Sequence, residues 1–339
     1  HFRFRLSSRK FDRLCLQNFL SLLIRVISNR EMEFLIGGLS GAFAVCVTNP
    51  LEVVKCRFQL QGELKARGQY AVHYRNIIHA FYTIAKNDGL LALQKGLPPA
   101  MAYQVVLGGC RLGLFQVAED RKWIAKKGSK NSVGDTSLLK SMAISVAGGC
   151  VGGFMSTPFY LVKTRLQVKS SEAIAVGYQH RYKGTVGAFV DIYSNQGIKG
   201  LWRGYPLIMF RIAVASSSQI PTFTMLKQYL KNHEVLPNFG GMIHTVVAAF
   251  GGGIVTALAI TPVDVISTRF CNQGLDANGK GLLYKNGVDC AIKTLKKEGI
   301  FGLYKGLIPC YFRIGPYSIL TMVLWDSLKS LQRKYNSSS

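Results

Sequence analysis

Three arginines, Arg111, Arg211 and Arg313, stand inside apolar stretches of the chain. An arginine at the bilayer centre costs about 2.5 to 3.5 kcal/mol even on permissive insertion scales, so each of them needs a polar cavity or a partner. A guanidinium group engages a carboxylate or a sulfate bidentately and stays charged at any physiological pH. Two or three such groups in a low-dielectric pore suit a small dianion.

The arginines fall in register with one another. The second apolar stretch of each third of the chain begins at a glycine. The positions seven and eight residues after that glycine are 103–104, 211–212 and 313–314. Arg111 lies seven residues after Gln104, about 20° away on a helical wheel, and so faces the same cavity. Gln104 and Tyr103 could recognise a keto or hydroxyl group, although Tyr103 suits packing equally well. The predicted substrate-binding residues are Tyr103, Gln104, Arg111, Arg211, Ile212, Arg313 and Ile314.

A charged motif, here called the proline motif, occurs three times. In its first copy Glu52, Lys55 and Gln59 lie at i, i+3 and i+7 and therefore share one helical face. Interfacial charge explains a single set of this kind, but three copies beside a proline favour a gate. The copies are 50–57, 158–165 and 262–269.

A second, glycine-bounded motif follows each proline motif after 39, 39 and 37 residues, at 89–96, 197–204 and 299–306. Two motifs in phase identify three versions of one unit. We predict repeats at 32–137, 138–238 and 239–334, with a tail at 335–339. Residues 1–31 are interpreted as a leader or as non-native sequence before Met32.

Composition indicates a membrane protein, with 48% apolar residues, 17% charged residues and 35 glycines. The stretches 34–51 and 141–162 carry no charge, and 239–263 carries only His244, so each is long enough to cross about 30 Å of hydrocarbon. The arginine-bearing stretch of each repeat adds a second span, giving six.

Other classes fit less well. The formal net charge of +25 is spread over termini and loops without a nucleic-acid-binding module, so nucleic acid is not an expected partner. No phosphate-cradling loop, metal cluster or nucleophile arrangement is evident, which argues against an enzyme, a metal site and a cofactor. The eight cysteines show no ligand-like spacing and are interpreted as reduced core residues.

Each repeat is predicted to contain a long helix, a loop with a short amphipathic surface helix, and a second long helix. The short helices are expected within 74–87, 182–195 and 284–297, and the protein is therefore an all-α membrane protein. Small residues four apart, such as Gly148 and Gly152, should allow close helix approach. The motif prolines should bend the odd-numbered long helices, their freed backbone groups being satisfied by neighbours or water.

Both motifs resemble those of the mitochondrial carrier family, solute carrier family 25, which combines Pro-x-Asp/Glu-x-x-Lys/Arg with a glycine-rich motif. The match extends over 32–334, and the segments 61–64, 73–76, 92–96 and 279–282 are similar to the oxaloacetate-carrier-like branch. The resemblance implies a pseudo-three-fold bundle of six transmembrane helices with three short matrix-side surface helices. It also implies a multi-pass protein of the inner mitochondrial membrane that alternates between two access states.

In this family, the acid of one odd-numbered helix pairs with the base of the next and closes the matrix side. The resemblance implies a pair between Glu52 and Lys163. It implies a second pair between Asp264 and Lys55. No acid is expected near the arginines on the neighbouring faces of the even-numbered helices, so a structural ion pair for them is disfavoured.

The third link departs from the family pattern, because Tyr160 replaces the acid and Ser267 the base, leaving a neutral hydrogen bond at most. The bracing glutamine is matched by Gln59 and Gln167, whereas Cys271 stands at the third position. A gate with two charged links should be weaker than one with three. The implied matrix gate consists of Glu52, Lys55, Gln59, Tyr160, Lys163, Gln167, Asp264 and Ser267.

The cytoplasmic gate of the family, aromatic-acid-x-x-base, survives at 325–329, lacks its acid at 223–227 and lacks both charges at 115–119. The implied residues are Gln116, Glu119, Thr224, Lys227, Asp326 and Lys329. Cardiolipin is implied near 182–184 and near Tyr74 and Tyr284, where Asn76 and Asn286 replace the glycine of the family.

The leading functional interpretation is a monomeric secondary transporter that exchanges dicarboxylates or oxoacids such as oxaloacetate, malate or malonate. Sulfate, thiosulfate or another divalent anion would suit the same arginines. A proton- or chloride-dissipating carrier and a non-transporting membrane scaffold remain alternatives, which transport assays separate.

Overall fold

In the computed structural model, six long helices account for most of the chain. The structure describes residues 29–65, 70–121, 123, 138–232, 242–276 and 279–338, so the interpretation of residues 1–31 lies almost wholly outside the described residues. The long helices are α1 (Asn29–Leu60), α3 (Leu97–Asp120), α4 (Leu138–Val168), α6 (Tyr205–Asn232), α7 (Met242–Asn272) and α10 (Leu307–Ser338).

These helices form a closed ring in which each packs against its two neighbours, in the order α1, α3, α4, α6, α7, α10 and back to α1. Within the described residues, four helical segments are long and apolar enough to cross a membrane. They are Ile36–Leu60, Lys140–Val168, Phe250–Asn272 and Ile300–Trp325. The helical content and the membrane-protein character expected from the sequence are therefore present.

Short helices connect the long helices of each repeat. They are α2 (Ile77–Asp88), α5 (Thr185–Leu201, interrupted at Gly197, where φ is 65°) and α8 (Gly287–Glu298), with 3-10 turns at Leu90–Gln94 and Glu172–Ile174 and a final turn, α9 (Ile300–Leu303). In α2, Ala80 and Ile84 are buried, whereas Ile78 and Tyr82 are exposed.

The motif prolines lie inside α1, α4 and α7. Side chains of the glycine-bounded motif donate hydrogen bonds to backbone carbonyls that lose their helical partner because of these prolines. A proline leaves the carbonyl four residues earlier without its helical partner. The carbonyl of Cys46, four before Pro50, accepts a hydrogen bond from Gln94 Nε2 at 3.0 Å. In repeat 2, the Phe154 carbonyl accepts one from Trp202 Nε1 at 2.9 Å. Neighbouring side chains therefore satisfy these groups, as predicted, and the two motifs form one unit.

Small residues on α4 bring the helices of the ring close together. A β-carbon at Gly148 would lie 3.2 Å from Cα of Arg111, and one at Gly152 would lie 3.2 Å from Cα of Leu107. The pair Gly148 and Gly152 therefore allows α3 to approach α4 at the depth of the arginine positions, as the spacing predicts.

Candidate functional site

Two buried ion pairs connect the odd-numbered long helices just beyond the motif prolines. Lys163 Nζ lies 2.6 Å from Glu52 Oε1, joining α4 to α1. Lys55 Nζ lies 2.7 Å from Asp264 Oδ2, joining α1 to α7. All four side chains are at most 7% exposed. Both pairs have the partners that the repeats implied, and breaking a buried pair costs several kcal/mol, about 3 to 5, because one charge is left uncompensated.

The two glutamines of the motif have different partners. Gln59 Nε2 donates to Asp264 Oδ2 at 2.8 Å, and Gln59 Oε1 accepts from Thr268 at 2.8 Å, so Gln59 braces an ion pair as expected. Gln167 Nε2 instead donates to Asn49 Oδ1 at 2.9 Å. It therefore joins α4 to α1 beside the pair of Glu52 rather than on it.

The third link of the ring contains an arginine instead of an ion pair between odd-numbered helices. Ser267 Oγ has no hydrogen-bond partner in the described part of the chain, so the neutral bond considered between Tyr160 and Ser267 is not formed. The guanidinium of Arg211 lies 5.3 Å from the ring centre of Tyr160. Its Nε lies 3.5 Å from Asp264 Oδ1. An arginine from a predicted substrate position thus occupies the neighbourhood of the missing link.

Arg313 makes a similar contact, with Nη1 at 3.7 Å from Glu52 Oε1. The prediction that disfavoured a structural ion pair for these arginines is therefore wrong. It rested on the lack of acids on the neighbouring faces of the even-numbered helices, whereas carboxylates of the odd-numbered helices lie within reach across the ring. Both contacts are longer than the lysine pairs, and the Nε atoms of Arg211 and Arg313 have no hydrogen-bond partner among the described residues. Both groups can still take up an anion.

Charge is unbalanced where these residues meet. Four cations, Lys55, Lys163, Arg211 and Arg313, are served by two carboxylates in ion pairs of 3.7 Å or less. Each carboxylate is held closely by a lysine and more loosely by an arginine. The cluster therefore carries an excess of two positive charges, which an anion can neutralise.

Of the remaining predicted substrate residues, Tyr103 lies beside this cluster, with its ring centre 5.2 Å from Lys163 Nζ. Tyr103 is 2% exposed, its ring lies 5.6 Å from that of Tyr160, and its hydroxyl has no hydrogen-bond partner among the described residues. Ile212 packs against Gly149 and Gly153 of α4, so its described contacts are those of helix packing. The other three are partly buried: Gln104, Arg111 and Ile314.

The predicted cytoplasmic gate is only partly described. Thr224 is partly buried, and Lys227 is exposed with its Nζ 5.8 Å from the ring centre of Phe223. The other side chains assigned to this gate lie outside the described ones, and they are those of Gln116, Glu119, Asp326 and Lys329.

Three buried arginines were not singled out from the sequence, although they end the three proline motifs. Arg57, Arg165 and Arg269 are at most 1% exposed. Each donates its Nε hydrogen to a backbone carbonyl of the next repeat in the ring. The three acceptors are the carbonyls of Gln167 at 3.5 Å, Cys271 at 3.1 Å and Gln59 at 3.0 Å, in that order.

Two of these arginines are neutralised by the acid that precedes a glycine motif. Asp88 accepts from Arg57 Nη2 at 2.9 Å. Burial alone would raise the pKa of Asp88, but the hydrogen bond from the Ser171 backbone N–H, together with Arg57, holds that pKa below its usual value. Glu298 serves Arg269 in the same way. An acid directly before the first glycine of the motif was the sequence signal for these pairs.

Comparison with known proteins adds an independent finding. A family model described as Mitochondrial carrier protein matches residues 32–123, 134–234 and 240–336. Solute carrier family 25 member 35 of Mus musculus is 43% identical over 304 residues, covering 90% of this chain and 99% of the relative.

Two more distant relatives have names that include a substrate. The Mitochondrial oxaloacetate transport protein of Saccharomyces cerevisiae is 36% identical over 307 residues, covering 88% of this chain and 89% of the relative. The Mitochondrial citrate transporter E of Aspergillus niger is 35% identical over 312 residues, covering 91% of this chain and 96% of the relative.

Three matches of one family model coincide with the three copies of the two motifs, and similarity extends over nearly the full length of the relatives. The chain therefore belongs to the mitochondrial carrier family, and it is a multi-pass transporter of the inner mitochondrial membrane and not an enzyme.

Proposed function

We propose that this carrier exchanges small dianions, dicarboxylates or oxoacids such as oxaloacetate, malate or malonate, by alternating access. The observation that carries the proposal is the buried cluster with two more cations than carboxylates. A dianion supplies the two missing negative charges. Relatives named as oxaloacetate and citrate transporters support small carboxylates as the substrate class.

The geometry suggests how binding would act on the gate. The contact of Arg211 with Asp264 ties α6 to α7, and that of Arg313 with Glu52 ties α10 to α1. A dianion that takes both guanidinium groups removes these contacts, which loosens the closed end of the ring. Binding energy would thus favour opening of the gate formed by the two lysine pairs.

We also propose that all six long helices span the membrane around a pseudo-three-fold axis, with α2, α5 and α8 at the matrix surface of a monomer. Cardiolipin would bind at the amino-terminal end of α5. There Gly184 offers no side-chain cap, whereas Asn76 and Asn286 occupy the backbone N–H groups of α2 and α8. A free helix terminus favours a phosphate group.

Reconstitution tests the transport proposal. Purified protein in cardiolipin-containing liposomes should exchange a labelled dicarboxylate or oxoacid for an internal one. Arg211→Ala or Arg313→Ala should lower the exchange rate by at least 100-fold, because each removes a cation that the dianion requires, about 3 kcal/mol. Arg75→Ala, which alters an exposed loop residue, is the matched control.

Two outcomes would contradict the proposal. If no anion of the panel is taken up or exchanged, including sulfate and thiosulfate, the chain is not a dianion carrier. Exchange that survives in both alanine variants with unchanged substrate preference would show that the arginines do not form the binding site.

A further inference from the structure

In repeats 1 and 3, one carboxylate pairs with two cations near the end of the odd-numbered long helix: the buried arginine of the proline motif and the lysine of the glycine-bounded motif. In repeat 1, Asp88 accepts from Arg57 Nη2 at 2.9 Å and from Lys95 Nζ at 3.4 Å. In repeat 3, Glu298 accepts from its buried arginine at 2.6 and 2.9 Å and from Lys305 Nζ at 2.6 Å. Each carboxylate therefore neutralises one buried arginine and one lysine of the same repeat.

Repeat 2 has both cations but no acid. Gln196 stands at the acid position, and the cations are Arg165 and Arg203. Arg165 is 1% exposed; its Nε donates to the Cys271 carbonyl and its Nη1 to the Tyr182 hydroxyl, leaving Nη2 without a partner among the described residues. Arg203 Nη1 donates to the Gly279 carbonyl at 3.0 Å, but Arg203 Nε and Gln196 Oε1 are buried and likewise lack a partner among the described residues.

The glutamine occupies the same place in its repeat as the carboxylate does in repeat 3. A β-carbon at Gly200 would lie 3.0 Å from Gln196 Oε1, and one at the equivalent Gly302 would lie 3.1 Å from Glu298 Oε2. The backbone and the cations of the carboxylate site are thus preserved in repeat 2, and only the negative charge is missing.

Electrostatic effects on neighbouring groups agree with an uncompensated charge. Burial and the positive charge of Arg165 lower the pKa of His180 to about 3, so this imidazole, which lies between Tyr178 and Tyr182, stays neutral. Burial and the same Arg165 charge also hold the pKa of Arg203 below its usual value, although Asp276 of repeat 3 opposes this shift. Two like charges in one half-buried site are a cost that an anion would remove.

We propose that Arg165, Arg203 and Gln196 form an oxyanion-binding site at the matrix end of repeat 2, separate from the central dianion site. The ligand lies beside the Gln196 amide and supplies the negative charge that the side chain at this position lacks: its oxygens accept from Arg165 Nη2 and Arg203 Nε, and the Gln196 amide N–H donates to a third oxygen. Phosphate has the required charge and acceptors, whether it is free in the matrix or part of a phospholipid headgroup.

Thermal unfolding of the purified full-length protein in detergent tests the proposal. Inorganic phosphate, compared with chloride at equal ionic strength, should raise the melting temperature, by roughly 5 °C at a concentration a hundredfold above its Kd. Gln196→Glu supplies the carboxylate internally, so it should melt higher than wild type without phosphate. Combined with Arg211→Ala, which disables the central site, it should also lose the phosphate response. Arg211→Ala, altered only at the central site, should keep that response.

A second variant and a lipid arm complete the design. Arg203→Gln removes one donor and should weaken the phosphate response even if Gln196→Glu does not fold. If cardiolipin raises the melting temperature in wild type but not in Gln196→Glu, and free phosphate does not act, the lipid headgroup is the ligand. The proposal is overturned if Arg211→Ala and the double variant Arg211→Ala with Gln196→Glu respond equally to phosphate, if the response disappears in Arg211→Ala, or if neither ligand acts. Exchange activity of Gln196→Glu is expected to remain, so failure here is distinguishable from failure of the transport proposal.

Discussion

Tyr160 and Ser267 are the positions at which one copy of the proline motif differs most clearly from the other copies, because they replace an acid and a base. The tyrosine ring lies against Arg211, and the serine hydroxyl has no hydrogen-bond partner among the described residues. The proposed matrix gate would therefore consist of two lysine pairs and of Arg211, which is also a proposed substrate-binding residue. We expect the third of the ring without a lysine pair to open at a lower cost than the other two.

Completing the third link should slow the carrier. The double variant Tyr160→Asp with Ser267→Lys should form a third buried pair, raise the melting temperature by a few degrees and lower the exchange rate about tenfold, equivalent to about 1.4 kcal/mol. Ser267→Lys alone is the control, because a buried lysine without an acid should lower the melting temperature. A rise in melting temperature without slower exchange would contradict a gating role for this link.

Glu63 gives a pH dependence that can be measured apart from transport. It follows the carboxy-terminal end of α1, and its carboxylate accepts a hydrogen bond from the Tyr284 hydroxyl at 2.8 Å. Burial raises the pKa of Glu63 from 4.5 to about 7, although Arg269 opposes the shift. Because the folded protein holds this proton more tightly than the unfolded chain does, the stabilisation is complete below pH 4.5 and is lost as the pH rises through about 7.

Glu63→Gln should remove this contribution, which is on the order of 2 kcal/mol. Relative to wild type, the variant should gain stability as the pH rises from 4.5 to 7.5, as measured by melting temperature across that range. Glu172→Gln, at an exposed glutamate, controls for the loss of one charge. Parallel curves for wild type and Glu63→Gln would show that Glu63 titrates as it does in the unfolded chain.

At the scale of the elements, the start of α3 depends on a glycine that contacts α4. Gly96 has a φ of 74°, and a β-carbon there would lie 3.0 Å from the backbone carbonyl of Lys163. Gly89 has a φ of 83°, but nothing lies within 4 Å of a β-carbon built on it. The two positions therefore separate backbone strain from helix packing.

Gly89→Ala should cost about 1 to 3 kcal/mol, the strain of an alanine at φ 83° and ψ 161°, a backbone region that is essentially restricted to glycine. Gly96→Ala should cost about 1 to 3 kcal/mol more, because the backbone of α4 must also move, and it should slow exchange. Melting temperatures and exchange rates of both variants provide the test. Equal losses would show that the contact of α3 with α4 does not constrain the gate.

For the whole molecule, the sequence predicted the features that occur in every repeat. It left open some of the contacts between residues of different repeats. The long helices and the partners in the pairs Glu52 with Lys163 and Asp264 with Lys55 followed from motif spacing and family resemblance. The contact of Arg211 with Asp264 did not, because it depends on which helices meet when the ring closes. Periodicity along one helix carries no information about that distance.

The charge balance of the molecule shows the same limit. Counting acids at each position of the repeat would have revealed that Gln196 interrupts a series of carboxylates. The almost complete burial of Arg165, however, follows only from the packing of α4 against α7 in the closed ring.

The backbone contacts of Arg57, Arg165 and Arg269 have a consequence for how the chain is made. Each of these arginines finds its Nε acceptor only in the following repeat, and that of Arg269 lies in the first. In a nascent chain that stops after one or two repeats, the last of these arginines therefore lacks the backbone carbonyl that accepts its Nε hydrogen in the complete protein. The third repeat completes the circle, so the last helices to leave the ribosome decide whether the first ones are stable.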